Sequence, residues 1–145
     1  MAITQALANS FKKQLLDGDH SFASGSDVYK IALYTSSATL NSATTSYTTG
    51  NEVGNSGQYS AGGGKLTGNN TSIASGVAIV DFADRSFTGV TLTARGALIY
   101  NTSSTATNAA VAVLDFGADK TATSGTFTIQ FPAFTTAADI LRISG

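Results

Sequence analysis

Cysteine is absent from this chain, which excludes disulfides, thiolate-held metals and a cysteine nucleophile. Tryptophan is absent too, and proline and histidine occur once each. Charge is scarce: Asp, Glu, Lys and Arg make up 12% of the 145 residues, about half the usual share. The formal net charge is −1. Binding nucleic acid requires several Lys or Arg to displace condensed counterions, and the one basic pair here is Lys12-Lys13. No nucleic acid is expected as a partner. No apolar run approaches the ~18 residues of a membrane-spanning helix, so no membrane is expected either. The first basic residues follow the apolar positions instead of preceding them, unlike a secretory leader.

What is abundant is Ser, Thr, Asn and Gly, with hydrophobic residues at 42% and 15 glycines. A chain this long forms one domain and buries roughly 70% of its unfolded surface. Three Asn-x-Ser/Thr sites, at Asn69, Asn70 and Asn101, follow from this composition alone.

Only the start has helical spacing. Ile3, Leu7, Phe11 and Leu15 recur every four residues, and Leu16 widens the stripe. Thr4 is placed to cap the start, and Gly18 is placed as a C-terminal stop. Residues 1–18 are expected to form a short amphipathic helix of at most four turns, packed on the domain, with Gln5, Asn9, Lys12 and Lys13 on its polar side.

After Phe22 the period becomes two. "VYKIALY" (28–34), "GVAIVDF" (76–82), "GALIY" (96–100), "AVAVLDF" (110–116), "TFTIQF" (126–131) and "DILRI" (139–143) are expected as strands. Weaker strands are expected near Tyr47–Val53, Gly63–Leu66 and Val90–Ala94. No helix intervenes, so residues 19–145 are expected to form a single antiparallel β-sandwich, jelly-roll-like, in a mainly β chain. "ALYTSSATLNSA" (32–43) echoes "ALIYNTSSTATNAA" (97–110), and "VDFADRS" (80–86) echoes "LDFGADKT" (114–121). A duplication would suit paired sheets. The polar stretch 35–64 is long for a connection. Two expectations stand for it: an edge hairpin with a Gly-rich tip, or an extended arm laid on a partner.

Three motifs invite chemical readings. Asp115-Phe116-Gly117 matches the magnesium-binding tripeptide of kinases, but the rest of the kinase machinery is missing. The tripeptide is expected at a strand-to-turn junction, with Phe in the core and Asp capping the backbone. His20 lies near Asp17, Asp19 and Asp27, where a metal or general-base role is conceivable. One histidine without cysteine does not build a typical closed zinc site, and "DGD" lacks the later glutamate of a calcium loop. A polar turn after the helix is the expectation. "AGGGKLTG" (61–68) departs from a phosphate-binding loop, because Leu66 follows the lysine and no helix is due. Turn or bulge glycines are expected. No cofactor and no metal are expected, and the chain is expected not to be an enzyme.

Several segments, taken in order, resemble a group of small virion structural proteins of tailed bacteriophages. They are "SFKKQLLDGDHSF" (10–22), "KIALYTSSATL" (30–40), "YTTGNEV" (47–53), "YSAGGGKL" (59–66), "DFADRSF" (81–87), "ARGALIYN" (94–101) and "LDFGADKTATSGTFTIQFP" (114–132). The resemblance implies a capsid cement or decoration protein on the outer surface of the virion head. Its implied partners are the major capsid protein and itself, a homodimer being favoured over a homotrimer. Contacts are assigned to Lys12 and Lys13 on the helix and to Tyr47, Glu52 and Tyr59 in the long loop. The competing reading is a glycan- or receptor-binding module of a tail or fibre, with Tyr47, Tyr59 and Tyr100 stacking on a sugar. A hydrolase would need paired carboxylates, and the spacing of the nine acids identifies no pair.

Overall fold

A computed structural model describes residues 2–131 and 141–143. The chain is mainly β, with antiparallel sheets and one short helix. The larger sheet centres on β2 (Tyr29–Tyr34), paired with β6 (Arg85–Asn101) from Tyr29↔Asn101 to Tyr34↔Gly96. The short β3 (Gly64–Lys65) lies on the other side of β2. β7 (Ala109–Ile129) pairs with β6, and β1 (Ala6–Leu7) flanks β7, giving the order β1-β7-β6-β2-β3. The smaller sheet has the order β4-β5-β8, from Asn70–Ala74, Val77–Asp81 and Leu141–Ile143. β4 and β5 are joined across Ser75 and Gly76, both at positive φ, the backbone of a tight two-residue hairpin.

The two sheets meet through aromatic rings. Phe82, just past β5, lies 5.7 Å from Tyr29 and 6.3 Å from Phe22, ring centre to ring centre. Phe22 stacks on Tyr29 at 4.6 Å and meets Phe11 edge-on at 6.0 Å. Ile31, Leu33, Leu98, Ile99 and Val113 fill the core around them. The result is an open, sandwich-like arrangement of unequal sheets, and the second echo is split between them, with Val80-Asp81 in β5 and Leu114-Asp115 in β7. "ALY" lies in β2 and "ALIY" in β6, which pair with each other.

Several features differ from the sequence expectation. The helix, α1, spans Asn9–Leu16 only, with Ala8 as an N-cap that makes no side-chain bond. Thr4 does not cap it. Ile3 instead bridges Leu40, and Leu7 belongs to β1 opposite Ala112. Pairing with existing strand edges satisfies more backbone than two extra turns of marginal helix, so the four-residue spacing was split between bridge, strand and helix. Phe11 is fully buried, whereas Leu16 is 89% exposed. Gly18 does stop the helix: its φ is +81° and Asp19 N–H donates to the Gln14 carbonyl.

β2 is buried on both sides except at Lys30, because loop residues cover its second face. The short strands expected at Val90–Ala94 and 96–100 are one strand, β6, and those at 110–116 and 126–131 lie on β7 up to its end at Ile129. Asp115-Phe116-Gly117 is therefore no strand end. Thr93 faces Thr121 and Ala94 faces Lys120, but Gly96 faces Asp115, so residues Phe116, Gly117, Ala118 and Asp119 stand opposite Arg95 alone. This is an enlarged β-bulge, with four residues against one. Gly117 supplies its positive φ (+81°), and Asp115 Oδ1 accepts from Gly117 N–H at 2.9 Å. Asp does cap the backbone there, and Phe116 packs partly buried against the core. Tyr47–Val53 forms no strand; Glu52 makes only an isolated bridge to Tyr34. Of "DILRI", positions 139 and 140 lie outside the described residues.

The segment 35–64 lies against its own sheet. Ala38, Leu40, Val53 and Tyr59 are buried in the common core, and Val53 N–H donates to the Leu33 carbonyl at the edge of β2.

Candidate functional site

What draws the long segment inward is Glu52. One carboxylate oxygen accepts from the Tyr47 hydroxyl. The other accepts from the Tyr59 hydroxyl at 2.8 Å and from Gly62 N–H at 2.7 Å. The Tyr59 oxygen in turn accepts Leu33 N–H at 2.7 Å, a β2 donor that has no strand beside it. Tyr100 donates to the Gly62 carbonyl at 2.6 Å, and Tyr34 donates to the Thr48 carbonyl at 2.6 Å. The Tyr47 ring stacks on Tyr100 at 4.8 Å. Of the chain's five tyrosines, two thus donate to one acid, and two more fasten the backbone of the same segment at Thr48 and Gly62.

Burial, aided by the negative charge of Glu52, raises the pKa of Tyr34, Tyr47 and Tyr59 well above the ordinary phenol value and lifts Tyr100 to about 12. These hydroxyls stay protonated donors at any working pH. The arrangement is a clamp closing a loop, with no free base in it. The ring faces that would stack on a sugar are already used: Tyr59 is fully buried against Phe87, and Tyr47 covers Tyr100.

The structure therefore brings Tyr47, Glu52 and Tyr59 into one cluster. Lys12 and Lys13 are not part of it. Lys13 Nζ pairs with Asp17 at 2.6 Å, and Lys12 Nζ reaches Asn9 Oδ1 at 3.4 Å, both on the exposed side of α1. Among the described residues, no three His, Cys, Asp or Glu side chains assemble as a metal-holding group. Gly63, in the phosphate-loop lookalike, is a close-approach glycine: a Cβ there would lie 1.8 Å from the Ile31 carbonyl oxygen. His20 is buried instead of sitting in an open polar turn, and its ring bonds to Gln14 and Asn101.

A broader surface escaped the sequence reading. Along the outer half of the β6–β7 ribbon, Phe87, Val90, Leu92, Ala94, Phe127 and Ile129 are buried. Their neighbours Ser86, Thr88, Thr91, Thr93, Thr121, Thr123, Thr126 and Thr128 are exposed. Ser86 and Thr128 hydroxyls meet at 2.9 Å, and those of Thr93 and Thr121 meet at 2.8 Å. Ser124 N–H donates to Thr91 Oγ1 at 2.9 Å. The face is hydroxyl-covered, and neither 86–93 nor 121–128 contains a charged residue. Its sequence signal was the repeated Thr-x-Thr of "TLT" (91–93), "TAT" (121–123) and "TFT" (126–128), obscured by the general Thr richness. No family model, curated protein or solved structure matches this chain. No described helix is long and apolar enough to cross a membrane.

Proposed function

We propose that this chain is a non-enzymatic cement protein of a tailed-phage head, lying on the outer capsid surface, bridging major capsid protein subunits and acting as a dimer. The observation that carries this reading is the hydroxyl face of the β6–β7 ribbon, together with the ordered series of segments that resemble phage virion proteins. Each hydroxyl-to-capsid hydrogen bond contributes about 1 kcal/mol net. Rigid β-branched side chains lose little rotamer freedom on docking, and a repeated lattice multiplies modest affinities through avidity. A two-fold joint between capsid subunits is matched by a two-fold dimer.

The test is immunogold electron microscopy of intact virions with antibody to this protein. Dense labelling over the head is the expected result. Labelling confined to the tail overturns the cement role and favours a receptor-binding module.

A further inference from the structure

His20 is the only histidine, and among the described residues it and Asn101 are the buried polar side chains. Its two ring nitrogens are spoken for by different elements. Nε2 lies 2.9 Å from Gln14 Oε1 on α1, and Nδ1 lies 3.0 Å from Asn101 Nδ2 at the end of β6.

The orientation of Asn101 is set by its other partners. Its Oδ1 accepts Ser103 N–H at 2.8 Å, and its Nδ2 donates to Asp27 Oδ2 at 2.7 Å. The second amide hydrogen is therefore directed at His20 Nδ1. Nδ1 must be a bare acceptor, so the ring is neutral and carries its proton on Nε2, which donates to Gln14. A proton added at Nδ1 sets donor against donor. Flipping the Asn101 amide to receive it would deprive both Ser103 and Asp27 of their partners.

The remaining surroundings are mostly apolar, with Ser21 and Thr71 the other polar residues along the hollow beside the ring. The Phe11 ring lies 4.8 Å away, and the ring borders a hollow of about 290 Å³ lined by Leu15, Phe22, Val80 and Leu141. Two carboxylates favour the cation through space. Asp19 is bound to Thr105 N–H at 2.7 Å, and Asp27 Oδ2 also holds Ser21 N–H at 2.9 Å. From β2, Tyr29 donates its hydroxyl to the Ser21 carbonyl and adds no charge. On α1, Lys13 and Asp17 neutralise each other at the surface.

We propose that His20 is an acid-sensitive latch: neutral, it ties α1 to the end of β6, and gaining a proton releases the helix. Burial outweighs the two carboxylates and holds the ring's pKa below that of a free imidazole. A depressed histidine pKa contributes stability that is complete above the unfolded value of about 6.5 and is lost as pH falls through the folded one. The latch is independent of any role on a capsid.

Nuclear magnetic resonance of the ring in the full chain tests it, since one histidine gives one set of signals. The expected result is the Nε2–H tautomer at pH 8 and a titration midpoint below that of free imidazole. The Nδ1–H tautomer, or a midpoint at or above the free value, overturns it. Hydrogen exchange supplies the second arm, comparing the wild type with His20→Gln at pH 7 and pH 5 after correction for intrinsic rates. In the wild type, the amides of α1 should open severalfold relative to those of β2 at the lower pH, and in His20→Gln that difference should vanish. The same acid response in both proteins overturns the latch. Should His20→Gln not fold, the wild-type resonance measurement decides alone.

Discussion

At the scale of single residues, Tyr59 carries two duties with one oxygen, accepting from Leu33 and donating to Glu52. Tyr59→Phe keeps the buried ring but strands a buried backbone N–H, which costs about 1–3 kcal/mol. Urea unfolding should report that loss, and an unchanged midpoint would mean that the loop is held by its apolar contacts alone. The sequence named Tyr47, Glu52 and Tyr59 as contacts but carried no sign that they contact one another. Spacings of five and seven residues in an irregular segment fix no direction, and only folding the loop back onto β2 makes one carboxylate the common acceptor. His20 was hidden for the same reason. Its partner Asn101 is 81 residues away.

At the scale of elements, glycines separate two costs that sequence alone leaves merged. Gly25 has φ +79° with open space around it, whereas Gly63 has φ +78° and would drive a Cβ into the Ile31 backbone. Gly25→Ala should lose about 1–2 kcal/mol, the left-handed penalty by itself. Gly63→Ala must also displace β3 from β2, and its loss should exceed about 3 kcal/mol; equal losses by thermal unfolding would refute the close approach. The hydroxyl ribbon invites a second comparison. Thr93→Lys with Thr123→Lys points both new side chains to solvent, so stability should stay within about 1 kcal/mol. Attachment to capsids, measured by co-sedimentation, should fall at least about tenfold, the loss of roughly 1.4 kcal/mol. Undiminished attachment would remove this face from the interface. The period-two pattern made most β6 and β7 pieces legible, but their joining into strands of 17 and 21 residues was not. Gly96 and Asp115-Phe116-Gly117 look like breaks in the sequence. In the sheet, Gly96 permits Ile3 to pack over it, and Gly117 absorbs a bulge.

At the scale of the whole molecule, scarce charge shapes how it can associate. Among the described residues, the close ion pairs are Lys13–Asp17 and Arg95–Asp115, neither of them deeply buried, and such pairs contribute little. Attachment through neutral hydroxyls should therefore resist salt: raising NaCl from about 0.1 to about 0.5 M shortens the screening length about twofold, which weakens contacts between charges and leaves neutral hydrogen bonds in place, and the affinity should change by less than about tenfold. A steep fall would shift the contact to Lys12 and Lys13. Composition and alternation by themselves determined a mainly β, antiparallel chain with one short N-terminal helix, because period-two burial and a C-terminal helix stop are local properties of the backbone. Tertiary structure alone decided the helix's true length, the unequal sheets joined at Phe82, the inward clamp on Glu52 and the buried ring of His20. Each of these depends on which distant backbone edge or polar atom a residue meets, and that is settled only when the chain closes on itself.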